Sequence, residues 1–432
     1  MYTFKHVILV VFVAGLINYI PSLFKTKLPP IVEGFFHPEF LEVAETFRSN
    51  LENGNDNGGA FAVYYKGKVI VDMWAGYADI EAARRWRNTT LSLIFSSTKG
   101  LAAIVVALMV DRGHLDYKKP VSDYWPEFAQ NGKENITVEM LVSHQSGLVV
   151  LDEPLYTREL VTDPMKVEDV LARQATSWPA GTSLGYHVVT YGLYVDRLVS
   201  KADPKQRSME QIFREEIAEP FGIDVYMNAP RGEFYRIARE QFVPSWKMLL
   251  MCFRSPKYFK IIGNYLLFPS SLIGRSIRTL KEFTELNLLN NPEIREITVS
   301  SYSATGTARG LAKLYGILAN GGTYQGKQLL SKEVIEKLSS TVIEGFDVVI
   351  QADGVKYGPG VQIKLNPWGQ TVYGHTGHGG QVAMADPSND LGIAYITNFI
   401  SIYSMGDDPR YLDLEKATYE GLRKYQARKM KS

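Results

Sequence analysis

The feature that most constrains this 432-residue chain is an unbroken apolar run, LAAIVVALMV, at positions 101–110. A surface helix carries polar residues along one side, whereas a helix that is apolar on every face has to be covered by other elements. The run and its flanks therefore predict a buried helix over residues 93–112, which Gly113 ends. A chain of this length can build the large core that such a helix requires.

Segments near both ends have the residue pattern and the turn residues of β-hairpins. Residues 60–78 turn at Lys66-Gly67-Lys68, and residues 382–398 turn at positions 387–390. Helical periodicity predicts helices at 36–54, 307–320 and 412–425. This order predicts an α+β fold with one antiparallel sheet, assembled from the N- and C-terminal segments and flanked by helices. A mostly helical region is inserted between those segments.

Composition excludes several classes of protein. The formal net charge is only +1, so the chain has no strong basic field for nucleic acid. Its single cysteine, Cys252, has no internal disulfide partner and is expected to be a buried structural thiol. The sequence contains no His-x-x-x-His or Cys–His cluster of the kind that binds a metal. It also has no glycine-rich loop after a strand of the kind that binds a nucleotide. We therefore predict neither metal nor cofactor.

The N-terminus has the pattern of a targeting or anchoring segment. An apolar run at 7–16 follows Lys5 and His6 and is short for a membrane span. Residues 1–24 are interpreted as an uncleaved signal anchor, with a cleaved signal peptide and a buried first helix as alternatives. Residues 25–35 are interpreted as a linker. These features predict a membrane anchor or the secretory pathway and leave the mitochondrion open, while the flanking charges are too few to fix an orientation.

Two tripeptides match the acceptor pattern for N-glycosylation. They begin at Asn88 and Asn135 and predict modification only if this part of the chain enters the secretory pathway.

A stretch rich in basic and aromatic residues occupies positions 245–281. Between Trp246 and Lys281 it carries seven lysines and arginines, six aromatic residues and no acidic residue. One interpretation is a segment that faces a membrane surface. The other is a solvated insertion with its cations on the outside.

A Ser-x-x-Lys pattern, Ser96 to Lys99, stands immediately before the apolar run. Residues three apart share a helix face, so the two side chains are expected to meet over one turn. Partial positive charge at the helix N-terminus and burial both disfavour a charged ammonium, which would make Lys99 a base for the Ser96 hydroxyl. The tetrapeptide alone also fits a capping serine followed by a surface lysine.

Other motifs follow in a fixed order. They are LVSHQSGL at 141–148, WPAGT at 178–182 leading to Tyr186-His187-Val188, and GHTGHGG at 374–380. With Ser96-x-x-Lys99, these motifs resemble the serine β-lactamase-related family, which includes class C β-lactamases, DD-peptidases, family VIII carboxylesterases and animal β-lactamase domain-containing proteins. The similarity runs from about residue 36 to 398. It implies a β-lactamase/transpeptidase-like fold and a catalytic domain over residues 36–428.

The resemblance implies roles for individual residues. Ser96 matches the nucleophile, Lys99 its base partner, and Tyr186 the tyrosine that relays the serine proton. His375-Thr376-Gly377 match the third motif, a strand edge beside the nucleophile. In the family the amide after that glycine joins the nucleophile's own amide in the oxyanion hole, which implies the N–H groups of His378 and Ser96 here.

Two departures from the family pattern concern the substrate. Val188 stands where an asparagine usually follows the tyrosine, and its side chain cannot bind the lysine or a substrate amide. His375 stands where β-lactamases have lysine, so the permanent cation that holds a β-lactam carboxylate is missing. Both changes point away from antibiotics and leave acyl transfer intact. His144 is expected to brace the site, and His187 to pack beneath Tyr186.

These observations predict a serine hydrolase that forms an acyl-enzyme on Ser96 and acts on a small ester, amide or peptide. Esterase and peptidase activities stay open. The alternative is a catalytically weak or inactive scaffold of the same fold that polymerises or binds partners, as some animal relatives do. A homo-oligomer is compatible with either function.

Overall fold

The computed structural model describes residues 28–284 and 286–430. The predicted anchor or signal peptide at 1–24 and the first residues of the predicted linker lie outside this part of the chain. Among the described residues, no helix is both long enough and apolar enough to cross a lipid bilayer.

Strands from both ends of the chain build one large sheet. Within the described residues its order is β1-β3-β2-β16-β15-β14-β13-β12-β11, with β4 paired to β3, and all its neighbours are antiparallel. Small pairings join the remaining strands. The strands are β1 Val32–Phe36, β2 Gly58–Tyr65, β3 Lys68–Asp79, β4 Arg84–Arg85, β5 Ser92–Leu93, β6 Val225–Tyr226, β7 Gln241–Phe242, β8 Thr305–Gly306, β9 Thr323–Tyr324, β10 Lys327–Gln328, β11 Ile343–Asp347, β12 Ala352–Tyr357, β13 Gln362–Leu365, β14 Thr371–Thr376, β15 Val382–Asp386, β16 Leu391–Thr397 and β17 Phe399–Ile400.

Most helices lie between β5 and β11, and single-turn 3₁₀ segments connect several of them. The α-helices are α1 Leu41–Glu52, α2 Ser97–Asp111, α3 Val138–Val142, α4 Glu159–Thr162, α5 Pro164–Arg173, α6 Thr190–Ala202, α7 Met209–Phe213, α8 Glu219–Phe221, α9 Ser245–Arg254, α10 Lys257–Leu267, α11 Leu272–Ile277, α12 Pro292–Arg295, α13 Ala308–Ala319, α14 Lys332–Leu338 and α15 Pro409–Lys429. The predicted α+β architecture, with a mostly helical insertion, is confirmed.

The two predicted hairpins form the centre of the sheet. Lys66 and Gly67 both have positive φ angles, 51° and 71°, as a tight two-residue hairpin turn requires. The hairpins meet where β2 pairs with β16, from Tyr65 opposite Leu391 to Gly59 opposite Thr397. Every residue of β2, β15 and β16 is buried. A strand buried on both faces has to be covered on both faces, so the sheet is the middle layer of three.

Helices from opposite ends of the chain cover one face of the sheet. Phe40 and Val43 near α1 pack with Tyr411 and Leu414 of α15 against the sheet. On the other face α13 lies directly on β16, because a Cβ atom added at Gly392 would stand 2.1 Å from the carbonyl oxygen of Ala312. The helix α2 is buried from Ser97 to Met109, as its apolar run predicts.

The structure corrects several predicted boundaries. Residues 32–35, predicted as part of the linker, form the edge strand β1 together with Phe36, and β1 pairs with β3 from Val32 opposite Ala75 to Phe36 opposite Val71. The predicted helix at 36–54 begins only at Leu41 after a 3₁₀ turn. The helix predicted from residue 93 begins at Ser97, because Ser92 and Leu93 pair with β8.

Three single residues have the exposure that their predicted roles require. Cys252 is a buried free thiol. Asn88 and Asn135 are exposed, so their side chains are accessible, and their glycosylation stays a prediction.

Candidate active site

Ser96 lies at the junction between β5 and α2, in a sharp turn. The preceding residue, Phe95, is buried and has a φ angle of 46°, a left-handed conformation that bulky residues rarely adopt. Thr98 fixes this turn, because its hydroxyl donates to the Phe95 carbonyl (2.6 Å) and accepts from the amide of Ala304 (3.1 Å). The turn leaves Ser96 half-buried at the N-terminus of α2.

Lys99 lies one turn further along α2, and its side chain is fully buried. Its Nζ is 3.3 Å from Oγ of Ser96 and donates to the carbonyl oxygens of Val188 (2.8 Å) and Ser301 (3.0 Å). Within the described residues it forms no ion pair with a carboxylate. Burial without a counter-charge holds the pKa of the Lys99 amine well below its usual value.

This geometry suits a neutral lysine. A neutral amine has two N–H bonds and one lone pair, and the two carbonyls take both N–H bonds. The lone pair is then left for the hydroxyl hydrogen of Ser96, which is the contact that a general base needs. The prediction that the side chains of Ser96 and Lys99 meet over one helix turn is confirmed, and their catalytic roles stay a prediction.

Tyr186 covers the Lys99 amine, with Nζ lying 4.8 Å from the centre of the phenol ring. Its hydroxyl contacts Ser96, and burial raises the pKa of the Tyr186 phenol above its usual value despite that hydrogen bond. The ring stacks on Tyr357, at 6.3 Å between ring centres and 9° between planes. Tyr186 therefore stays a protonated phenol that touches both members of the Ser96–Lys99 pair.

His375 is a buried residue of β14, and its ring centre is 6.1 Å from that of Tyr186. The Ser97 hydroxyl donates to its carbonyl oxygen at 3.1 Å, which joins β14 to the start of α2. Its Nδ1 is 2.7 Å from the carbonyl oxygen of Thr376 and has to carry the hydrogen, because a carbonyl only accepts. Burial, with Lys99 nearby, lowers the pKa of His375 to about 3. The imidazole is therefore neutral.

The rest of the third motif lies against the nucleophile turn. A Cβ atom at Gly377 would stand 2.3 Å from the carbonyl oxygen of Ile94, so only glycine permits this approach. Thr376 donates its hydroxyl to the carbonyl oxygen of Ser404 at 3.0 Å. The half-buried His378 packs edge-on against Phe95, with ring centres 5.6 Å apart.

Two backbone amides at this point have no acceptor. Among the described residues, the N–H groups of Ser96 and His378 form no hydrogen bond with a protein group. Unpaired donors in a partly buried site are the arrangement that a negatively charged oxygen requires.

The histidines of the middle motifs lie beneath Tyr186. His187 donates from Nδ1 to the Gly185 carbonyl (2.7 Å) and accepts at Nε2 from the Ser146 hydroxyl (2.8 Å). His144 accepts the amide hydrogen of His187 at Nδ1 (3.2 Å), and its ring packs 4.9 Å from that of Tyr186. Burial lowers the pKa of His187 to about 3. Burial also holds the pKa of His144 well below its usual value, so both imidazoles are neutral, and their bracing role stays a prediction.

Sequence reasoning missed three contacts. The Val188 side chain forms no hydrogen bond, as expected, but its carbonyl oxygen holds Lys99. The Ser301 carbonyl does the same, and the Ser301 hydroxyl donates to the Val189 carbonyl at 2.6 Å. Asp347 is buried and accepts the amide hydrogens of Tyr186, Val349 and Ile350 (2.9, 2.9 and 3.0 Å). Burial raises its pKa to about 6.

A cluster of apolar residues, which we call the apolar wall, packs beside the site. Its buried members are Val149, Val150, Ile273 and Val349. Partly buried residues that pack against them include Trp178, Val188, Ile261 and Leu272. Because Val188 also holds Lys99 through its carbonyl, this apolar wall adjoins the Ser96–Lys99 pair.

Comparison with known proteins identifies relatives along most of the chain. Residues 43–414 match the Beta-lactamase family. The esterase/beta-lactamase LipL of Mycobacterium tuberculosis is 29% identical over 378 residues, which cover 85% of this chain and 83% of LipL. The crystal structure of a family VIII carboxylesterase has a TM-score of 0.79 and 30% identity, covering 90% of this chain and all of that one. A penicillin-binding protein homologue from Caulobacter crescentus has a TM-score of 0.75, also at 30% identity, with the same coverage.

Proposed function

This chain belongs to the beta-lactamase family, and we propose that it is a serine hydrolase that cleaves carboxylic esters through an acyl-enzyme on Ser96. Its relatives include esterases and beta-lactamases. The observation that carries the proposal is the setting of Lys99. Its buried amine has no carboxylate partner among the described residues, donates to two carbonyl oxygens, and contacts the Ser96 hydroxyl.

Acylation begins with attack of Ser96 Oγ on the ester carbonyl carbon. The Ser96 hydroxyl proton moves to Nζ of Lys99, and the carbonyl electron pair moves to the oxygen, where the amides of Ser96 and His378 are placed to bind it. When the intermediate collapses, the bond to the alcohol oxygen breaks. That oxygen takes up the proton from Lys99, directly or through the Tyr186 hydroxyl, and the acyl group stays on Ser96.

Deacylation repeats these steps with water. Tyr186 and Lys99 accept a proton from the water that attacks the acyl carbon, and Ser96 leaves with that proton restored to its oxygen. Because the Tyr186 phenol has a raised pKa, it acts as a relay that gives one proton as it takes another.

Two observations favour esters over β-lactam antibiotics. His375 is neutral, so the third motif offers no permanent cation to a substrate carboxylate. The Val188 side chain belongs to the apolar wall and offers no hydrogen bond to a substrate amide. An ester with an apolar acyl group matches both features.

The test is a substrate panel on the purified protein. We expect hydrolysis of p-nitrophenyl esters, covalent labelling by a fluorophosphonate on Ser96, and loss of both in Ser96→Ala. Peptide and β-lactam substrates in the same panel separate an esterase from a peptidase and from a β-lactamase. Labelling that persists in Ser96→Ala, or turnover of amides but not of esters, would contradict the proposal.

A further inference from the structure

The basic and aromatic stretch at 245–281 forms the helices α9, α10 and α11, which have apolar residues on two sides. On the inner side, Cys252 and Tyr258 are buried and pack with Ile402 and Tyr403. On the outer side, six large apolar side chains are between 40% and 70% exposed. They are Leu250, Phe253, Phe259, Leu266, Leu267 and Phe268, and together we call them the outer apolar face.

Helix geometry and one ring contact join four of these side chains, and Leu267 and Phe268 follow Leu266 directly in the chain. Leu250 and Phe253 are three residues apart on α9, and Phe259 and Leu266 are seven apart on α10, so each pair lies on one helix face. The rings of Phe253 and Phe259 join the two helices, with centres 5.2 Å apart. The inner side already supplies the contacts that attach the helices to the core, so the outer apolar face has no role in the packing among residues 28–284 and 286–430.

The charge around this face is positive. Arg254 and Lys260 are exposed, and neither forms an ion pair within the described residues. Lys257 pairs with Asp407 at 2.8 Å. The stretch from 246 to 281 contains no aspartate or glutamate. Exposed leucines and phenylalanines flanked by lysine and arginine suit the boundary between acyl chains and anionic headgroups of a lipid bilayer.

We propose that α9 and α10 dock the protein on an anionic lipid surface and present acyl esters from that surface to Ser96. The second half of this inference rests on the proposed esterase function, whereas the first half does not. The outer apolar face enters the acyl-chain boundary, and Arg254 and Lys260 lie at the headgroup phosphates.

The inner side of α10 connects this surface to the site. Ile261 belongs to the apolar wall that includes Val188. The Tyr258 hydroxyl donates to Asp407 (2.7 Å) and accepts the amide hydrogen of Ser404 (2.9 Å), and the Ser404 carbonyl accepts from Thr376 of the third motif. The same helix therefore has exposed apolar residues on its outer side and, on its inner side, contacts that connect it to the apolar wall and, through Ser404, to the third motif.

A local probe tests the docking in the full chain. Leu267→Cys is labelled with a polarity-sensitive fluorophore in a Cys252→Ala background, and Met165→Cys serves as the control. Met165 is 83% exposed and precedes Lys166, which pairs with Glu153 and Glu159. With phosphatidylserine-containing vesicles we expect a blue shift at position 267 and none at 165, whatever the N-terminal segment binds. An unchanged spectrum at position 267 would overturn the proposal.

Matched substitutions test whether docking through the outer apolar face promotes hydrolysis of a lipid-borne substrate. We expect Leu267→Glu with Phe268→Glu to reduce hydrolysis of a vesicle-borne acyl ester about tenfold or more relative to a soluble p-nitrophenyl ester, and Met165→Glu to leave that ratio unchanged. Ser96→Ala should retain the spectral shift and lose both reactions. If the fluorophore at position 267 shifts but none of the proteins, wild type included, hydrolyses an ester, the docking proposal stands and the proposed esterase function is contradicted.

Self-association gives a different result. If the probe at position 267 shifts without vesicles and the Leu267→Glu, Phe268→Glu protein loses an oligomer in size-exclusion chromatography, the outer apolar face is an interface between copies and the lipid proposal is wrong. Deletion of 246–281 is a poorer test, because these helices bury Tyr258 and cover Val149 and Val349.

Discussion

At the scale of single residues, the proposed chemistry depends on the charge of the Lys99 amine. Burial away from carboxylates favours the neutral form, and two carbonyls orient it. A base of this kind has to lose its proton before acylation begins. The activity should therefore follow the deprotonation of Lys99, while Tyr186, with its raised pKa, stays protonated.

The pH profile of ester hydrolysis tests this dependence. We expect kcat/KM to rise with pH along a limb of slope one and to reach a plateau well below the usual lysine pKa of about 10.4. His375, with a pKa of about 3, should add no inflection between pH 5 and 9. Lys99→Arg, whose guanidinium stays protonated and cannot accept the Ser96 proton, should lose about 10²- to 10⁴-fold in rate. Comparable activity in Lys99→Arg after subtraction of a Ser96→Ala blank would refute the role of Lys99.

Asp347 is a positioning residue for Tyr186. One carboxylate oxygen accepts the Tyr186 amide hydrogen, and the other accepts those of Val349 and Ile350. In Asp347→Asn an NH₂ group has to face one of these donors, at a cost of about 1–3 kcal/mol. We expect kcat to fall about tenfold, as such a cost implies, with little change in KM. Asp353→Asn, at an exposed position of β12, is the matched control, and equal kcat values in the two variants would contradict the assignment.

At the scale of elements, the helices and strands that could be predicted are those with a strong local pattern of turn residues and apolar residues. The hairpins at 60–78 and 382–398 carry strong turn residues and apolar strands, and both are confirmed. Residues 32–35 were predicted as linker because β1 is a short, mostly exposed edge strand whose partner lies beyond α1 and β2. Its pairing depends on tertiary contacts, which local sequence patterns do not contain.

The approach of α2 to β14 gives a prediction for one glycine. A Cβ atom at Gly100 would lie 2.2 Å from the Tyr315 hydroxyl and 3.1 Å from Cβ of His375. We expect Gly100→Ala to lower the free energy of unfolding by about 1–3 kcal/mol through overpacking and to reduce activity by moving His375. In Gly263→Ala on α10 the added methyl meets no atom within 4 Å, so a gain of about 0.5–1 kcal/mol is expected. Urea denaturation of both variants is the measurement, and equal midpoints would refute the close approach.

At the scale of the whole molecule, the site is assembled from segments that are far apart in the chain. The motifs at 96–99, 186 and 375–378 could be identified from the sequence because each depends on particular side chains. The acceptors that fix Lys99 could not, because the carbonyls of Val188 and Ser301 belong to the backbone and any residue type could supply them. The family resemblance predicted the reacting groups, and only the fold revealed what orients them.

The order of strands in the sheet makes the C-terminal strands more important for the fold than the N-terminal strand β1. Among the described strands β1 lies at the edge of the sheet and pairs with β3 alone, and four strands separate it from β14. β16 is central, because it pairs with β2 on one side and β15 on the other. A chain that lacks residues 1–36 loses one edge and part of the cover over α1, whereas a chain that ends at Asp390 loses the strand that joins the N- and C-terminal parts of the sheet.

We therefore expect different outcomes from these two truncations. The chain that begins at residue 37 should stay folded and hydrolyse soluble esters, with a lowered midpoint of thermal unfolding, because burial of an edge strand contributes only part of the total stability. The chain that ends at residue 390 should show no cooperative unfolding transition, since it also lacks α15, which packs against α1. Circular dichroism melting and a fluorophosphonate labelling assay distinguish the two. A cooperative transition and labelled Ser96 in the chain that ends at residue 390 would show that the N- and C-terminal parts fold without the strand between them, contrary to the single-sheet architecture.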